Sequence, residues 1–236
     1  METRKDGISG LYIGYTRSGK STPIKDIAQK NSRVLVSDVK GEYGALGFEV
    51  IETKAELIER LKTATGDAKI AFKTRNKQDF QFFCACALNW VRQKPGLVIC
   101  EELAMNTNAG KADGHWGVLV NQGLGFGLIL LATAQRAQEI DKTILMNATY
   151  VHIAQQDGRD SKYLAAEFNI DESIISDQQL KFIVVRRGSG VLVQAGEIVY
   201  KSATDTKPRF RGIKKGGKKP TFLQYKADGT INEVRY

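Results

Sequence analysis

The chain has 236 residues, a formal net charge of +9, 42% hydrophobic residues and 26% charged ones. That length suits one α/β domain with a small appendage, and the hydrophobic fraction supports a real core. No stretch approaches the ~20 apolar residues of a membrane span, and the charged start Met-Glu-Thr-Arg-Lys-Asp lacks the apolar run of a secretory signal.

Leu11 to Ile13 is a short apolar run leading into Gly14, as a buried strand would. Pro23 then sits where the first turn of a helix tolerates it, with Ile24, Ile27 and Ala28 at helical spacing. Val34 to Val36 and Phe48 to Ile51 read as strands, and Thr53 with Glu56 forms a capping box for a helix to about Ala64. A strand at Ile70 to Phe72 precedes an apolar helix from Gln78 to Gln93, stopped by Pro95-Gly96. Trp90 and the Phe80, Phe82, Phe83 cluster read as packing on that helix. Leu97 to Cys100 and Leu128 to Ala132 are further apolar strands. This alternation up to Phe168 predicts a mostly parallel sheet flanked by helices on both faces.

The style changes after Leu180. Gly188-Ser189-Gly190 and Asp228-Gly229 each separate two strand-like runs, as in hairpins. The expected division is an α/β core at 1–180 and a β-rich basic C-terminal extension at 181–236. That extension holds 13 Lys/Arg against 4 Asp/Glu, so it carries the whole net charge while the preceding residues balance. Lys207, Arg209, Arg211, Lys214, Lys215, Lys218 and Lys219 fall in one stretch without an acid, which predicts contact with a polyanion such as nucleic-acid backbone. A basic solvated tail is the plainer alternative. Cys84, Cys86 and Cys100 form no Cys-x-x-Cys pair and read as buried free thiols, which fits synthesis in a reducing cytoplasm. His115 and His152 are isolated, without the spacing of a zinc site.

Gly14-Tyr15-Thr16-Arg17-Ser18-Gly19-Lys20-Ser21 matches G-x-x-x-x-G-K-[ST] in full, and Thr22 follows. Glycines let the backbone curl so that N–H groups face phosphate oxygens, Lys20 reaches the β/γ-phosphates, and the Ser21 hydroxyl coordinates Mg²⁺. The helix that follows aims its positive end at the same anion. ATP and Mg²⁺ are therefore the expected cofactors. Glu101 and Glu102 end a buried strand, where ligands of α/β sheets bind. One carboxylate suffices for Mg²⁺, and an adjacent one can orient and deprotonate water, so Glu101 is assigned to the metal and Glu102 to the attacking water. In ATPases of the additional-strand, catalytic-glutamate type, a further strand lies between these two and carries a polar sensor at its tip, here Gln135.

These features resemble a known superfamily. The order of the P-loop, Val-Leu-Val-Ser-Asp-Val-Lys-Gly-Glu-Tyr at 34–43, the Glu-Glu strand and Ala-Thr-Ala-Gln-Arg at 132–136 resembles the HerA/FtsK superfamily of DNA-pumping ATPases. Gln-Asp-Gly-Arg-Asp-Ser-Lys-Tyr-Leu at 156–164 is similar to a segment of the same superfamily, and the small size is most like the genome-packaging ATPases of tectivirus-like, membrane-containing icosahedral viruses. Glu101 stands where most of the superfamily has Asp. The resemblance implies a homo-oligomeric ring, a hexamer favoured, that pulls double-stranded DNA through a channel at a packaging vertex of the virion, beside capsid vertex proteins. It also implies an arginine acting from a neighbouring subunit; Arg159 is ranked before Arg136 and Arg92, its plainer role being an ion pair with Asp157 or Asp160. The stretch from Asn106 to Gly114, with Lys111, directly follows the acids and reads either as a channel loop or as an ordinary solvent loop.

Three alternatives remain from the sequence. A small nucleotide or metabolite kinase shares the P-loop and size but needs no water-activating glutamate. An assembly or vertex protein would hold ATP without hydrolysing it. Conjugation pumps and filamentous-phage morphogenesis ATPases share the motor class.

Overall fold

The computed structural model describes residues 7–187, 191–202, 207–212, 221–225 and 231–235. Seven short runs rich in β-branched and aliphatic residues form parallel strands. They are β1 (Ile8–Ile13), β2 (Arg33–Asp38), β3 (Glu49–Ile51), β4 (Ala68–Lys73), β5 (Leu97–Cys100), β6 (Ile129–Ala134) and β7 (Tyr150–Ile153). Helices α1 (Ser21–Lys30), α2 (Lys54–Thr63), α3 (Lys77–Gln93), α4 (Leu103–Asn106), α5 (Gly114–Gln122), α6 (Lys142–Asn147) and α7 (Gly158–Phe168) fall between or after them. Antiparallel β8 (Lys181–Arg186), β9 (Val191–Val199) and β10 (Arg209–Gly212) follow, and β11 (Thr221–Tyr225) pairs with β12 (Ile231–Arg235) in a separate two-stranded sheet.

The main sheet runs β10-β9-β8-β7-β1-β6-β5-β2-β4-β3. β6 therefore lies between the P-loop strand β1 and the Glu-Glu strand β5, as expected of an additional-strand ATPase. Alternation along each strand divides the core between two faces. Tyr12, Val34, Val36, Ile99 and Leu131 pack with Ile24, Ile27 and Ala28 of α1. On the other face, Leu11, Leu35, Ile70, Val98 and Leu130 meet Leu57 of α2, Phe80, Phe83 and Trp90 of α3, Trp116 of α5 and Leu164 of α7. The capping box at Thr53 forms in both directions. Cys84 and Cys100 are buried free thiols, and Cys86 is half-buried.

Strands β8, β9 and β10 join the main sheet, so the change of style at 181 is a change of strand direction within one sheet. Phe182 stacks on His152 at 4.5 Å between ring centroids, and His152 stacks on Tyr12 at 5.0 Å. Burial holds the His152 imidazole neutral, its pKa pushed down to about 3. A chain ending at residue 180 is expected to aggregate or lose its cooperative melt, because it leaves β7 as an uncovered apolar edge. One ending at residue 212 keeps all ten strands and should melt like the full chain. Calorimetry and solubility of the two truncations check this.

Candidate functional site

Strand register brings the chemistry to one edge. Ile13 pairs with Ala134, Cys100 with Ala132, and Ser37 with Cys100. Gly14, Gln135, Glu101 and the segment after Asp38 therefore all leave the sheet at its carboxyl ends.

The P-loop turns tightly there. A Cβ on Gly14 would fall 2.5 Å from Ser18 Oγ and 2.8 Å from Ala154 Cβ, so only glycine fits. Gly19 takes φ +91° and leads into α1. A cleft of about 340 Å³ opens above, lined by Thr16, Arg17, Gly19, Lys20, Ser21 and Thr22 of the loop, with Lys25, Lys40, Glu42, Leu180 and Tyr200. Within the loop, the Tyr15 hydroxyl donates to Asp160 at 2.8 Å.

Glu102 is the hub. Its carboxylate lies 2.6 Å from Lys40 Nζ and 3.8 Å from Lys20 Nζ, and it accepts from Gln135 Nε2 at 3.3 Å. Burial alone would raise its pKa, but the two lysines and the glutamine prevail and hold it below the usual carboxylate range. Glu102 adopts φ +52°, a left-handed conformation costing about 1–3 kcal/mol outside glycine. Its N–H donates to Thr133 Oγ1 at 2.8 Å, which fixes the kink. The two adjacent glutamates reach different partners. Glu101 accepts from the Tyr43 hydroxyl at 3.1 Å, and burial pushes its carboxyl up to about 7.

Four contributors, Asp38, Lys40, Tyr43 and Thr133, have no role assigned from the sequence. Asp38 accepts from the N–H groups of Gly41, Glu42 and Tyr43 at 2.8, 3.2 and 3.0 Å. That turn, with Gly41 at φ +72°, delivers Lys40 to Glu102 and Tyr43 to Glu101. Thr133 holds Glu102. Their signal was present in Ser-Asp-Val-Lys-Gly-Glu-Tyr and Ala-Thr-Ala-Gln-Arg, but no spacing rule converts such stretches into partners.

The arginines separate by position. Arg136 forms a two-pronged pair with buried Asp160, Nε to Oδ2 at 3.0 Å and Nη2 to Oδ1 at 3.1 Å. Asp160 is thus engaged by Arg136 and Tyr15, and the ion pairs recorded among the described residues include none between Arg159 and Asp157 or Asp160. Arg159 is exposed in the first turn of α7. Arg92, bonded to Gln122 at 3.3 Å, ends α3 shortly before β5 begins, at the amino edge of the sheet and away from the site.

Lys111 is exposed in a loop tied to the start of α6, where Lys142 N–H donates to Gly110 O at 2.6 Å and Ala112 N–H to Thr143 Oγ1 at 2.8 Å. Lys207, Arg209 and Arg211 are exposed at the edge strand β10, with Arg211 3.1 Å from Glu197. Lys214, Lys215, Lys218 and Lys219 lie outside the described residues. Among the described residues no group of three or more His, Cys, Asp or Glu side chains is placed to hold a metal, and no helix is long and apolar enough to cross a membrane.

A P-loop beside a central parallel strand, an intervening strand and an acidic strand end define the P-loop nucleoside triphosphatase fold. No protein-family model matches the chain. The chain is similar to protein P9 of Pseudoalteromonas phage PM2, 34% identical over 143 residues, which is 59% of this chain and 65% of that protein. It thus spans a little under two thirds of that relative. Among solved structures, the genome packaging NTPase B204 of Sulfolobus turreted icosahedral virus 2, in complex with AMP, superposes with a TM-score of 0.64 at 15% identity, covering 80% of this chain and 97% of B204. VirB4 of Thermoanaerobacter pseudethanolicus superposes with a TM-score of 0.52 at 10% identity, covering 89% and 90%. At these identities the structural likeness is one of fold.

Glu101 generates a stability prediction. Its pKa of about 7 in the folded chain exceeds the ordinary value of 4.5, so between those pH values the native state binds more protons than the unfolded one. Stability then falls as pH rises through that window. Glu101→Gln is expected to raise the melting temperature at pH 8, by an amount equivalent to about 1–3 kcal/mol, and to change it little at pH 4.5. Calorimetry of both proteins at the two pH values tests the sign.

Proposed function

We propose that the chain is an ATP-driven motor that translocates double-stranded DNA, packaging a viral genome into a preformed capsid. One observation carries the enzymatic part: Glu102, a carboxylate held ionised and buried, sits 3.8 Å from the P-loop lysine and 3.3 Å from Gln135. A charged acid poised beside the phosphate cradle is what activation of a water nucleophile requires. Lys20 would exchange Glu102 for the phosphates, leaving the carboxylate with Lys40 and Gln135. A kinase would need room for an acceptor at that place rather than a proton acceptor.

Ser21, which lines the cleft, and Glu101, buried at the end of β5, suit Mg²⁺ as hard oxygen donors. Glu101 fits the part, since its hydrogen-bond partner is a neutral phenol and its burial leaves it short of positive charge. Bound there, the ion would neutralise charge on the transferring phosphoryl group. DNA enters the proposal from the B204 likeness and from the basic residues. Lys111 and the segment containing Lys207, Arg209, Arg211, Lys214, Lys215, Lys218 and Lys219 would meet the backbone without base preference. A hexameric ring at the packaging vertex of the virion, made in the host cytoplasm and docked on capsid vertex proteins, is the assembly this reading requires.

Hydrolysis by the purified protein should rise on adding double-stranded DNA, with no phosphate acceptor present. Turnover that depends on a small-molecule acceptor instead would make the protein a kinase. In the same assay Glu102→Gln should still bind ATP and hydrolyse it about 10²–10⁴-fold more slowly, because the amide keeps the shape and cannot take a proton. Normal turnover by that variant would move the base elsewhere.

Arg159 is proposed to act across a subunit boundary, since it is exposed beside the engaged Asp160. Arg159→Ala and Lys20→Ala should each be inactive alone, by about 10³-fold or more for the arginine. Mixed rings should regain activity at interfaces that pair an intact loop with an intact arginine. Co-assembled mixtures as inactive as either parent would place the trans group elsewhere.

A further inference from the structure

The geometry points to the turn before β8 and the end of β9 as the nucleoside subsite, with Leu180, Ile198 and Tyr200 forming its apolar wall. This rests on the reading of the P-loop as a triphosphate cradle and deepens it. Gly19 is packed directly beneath these residues: a Cβ there would fall 2.6 Å from Ile198 Cδ1 and 3.1 Å from Leu180 Cδ2. The contact is held from two sides. Gln179 Nε2 donates to the Arg17 carbonyl of the loop at 3.0 Å, and the Leu180 carbonyl accepts from Ile198 N–H at 2.8 Å.

Leu180 itself adopts φ +63°. A branched apolar residue in the left-handed region is unusual and persists only where its surroundings enforce it. Here the enforced result is a partly buried leucine side chain that packs on the Ile198 cluster, lies against Gly19 of the phosphate loop and lines the cleft.

Leu180 and Tyr200 also line a second cleft of about 670 Å³ on β9, with Gln179, Glu197, Ile198 and Arg211. The P-loop cleft is dominated by Lys20, Lys25, Lys40 and hydroxyls, chemistry suited to phosphates. Only its Leu180–Tyr200 margin is apolar and aromatic, and that margin is where it meets the second cleft. A nucleotide carries the same division, anionic at one end and a flat aromatic ring at the other. Tyr200 is partly exposed, so its ring face is free to take a base by stacking, which tolerates any base because every base has a π-face.

The test separates the two ends of the ligand. Binding of ATP and of inorganic tripolyphosphate, each with Mg²⁺, is measured by calorimetry on the full chain and on Tyr200→Ala, Tyr200→Phe and Lys20→Ala. Tyr200→Ala should weaken ATP about tenfold, or about 1.4 kcal/mol, leave tripolyphosphate within about twofold, and Tyr200→Phe should restore ATP. Unchanged ATP affinity in Tyr200→Ala, or equal loss for both ligands, overturns the assignment. Failure of the underlying reading shows differently: Lys20→Ala would then bind tripolyphosphate as well as the parent does. Tyr200 is at the surface, so unaltered melting of its variants is expected and is checked in the same samples.

Discussion

Two adjacent carboxylates at the end of a fully buried strand cannot both be ionised in a low-dielectric setting unless cations meet them. Most of the local structure around β5 answers that problem. Glu102 receives Lys20 and Lys40 and stays charged. Glu101 receives the Tyr43 hydroxyl, and burial pushes it toward neutrality. The chain turns sharply as it leaves the strand, with a positive φ at Glu102 and the Thr133 hydroxyl holding its N–H. Lys40 and Tyr43 must both arrive from β2, hence the turn in which the Asp38 carboxylate gathers three successive amide groups. The divergent environments are the useful outcome, because acids of different proton affinity can take different roles.

The parts of this arrangement legible in the sequence are those governed by local rules. The P-loop is a continuous pattern whose glycines answer to close contacts within a few residues, as at Gly14 and Ser18. The apolar run Leu97 to Cys100 forms β5 with the expected bounds, because a four-residue aliphatic run between Gly96 and Glu101 has no other way to bury itself. The place of β6 between β1 and β5 was reached through the catalytic-glutamate class and is realised in the strand order. What escaped depends on long-range pairing. Lys40 meets Glu102 across 62 positions, and Glu102 N–H meets Thr133 across 31. Charge and hydroxyl identities are visible in the sequence, but partners are chosen by sheet order.

The C-terminal strands show the same limit. The hairpin signals Gly188-Ser189-Gly190 and Asp228-Gly229 marked the pairs β8 with β9 and β11 with β12. Nothing local said that β8 would pair with β7 and so continue the main sheet. The aromatic stack of Tyr12, His152 and Phe182 explains the attachment. A histidine at β7 can be buried without hydrogen-bond partners only if it stays neutral and both ring faces are covered, and Phe182 of β8 supplies one cover.

Asp160 joins two otherwise separate parts of the site. Its buried carboxylate accepts from Tyr15, the second residue of the P-loop, and pairs with both prongs of Arg136, which directly follows Gln135. The P-loop and the strand tip that touches Glu102 are thereby tied to one side chain on the first turn of α7. Charged hydrogen bonds of this two-pronged kind fix orientation as well as distance. The P-loop is therefore linked through Asp160 to both the segment that follows Gln135 and α7. Because Arg136 and Tyr15 already occupy Asp160, its neighbour Arg159 is left at the surface of the same turn. Tyr15 of the loop, Arg136 after the β6 tip and the exposed Arg159 thus converge on the first turn of one helix.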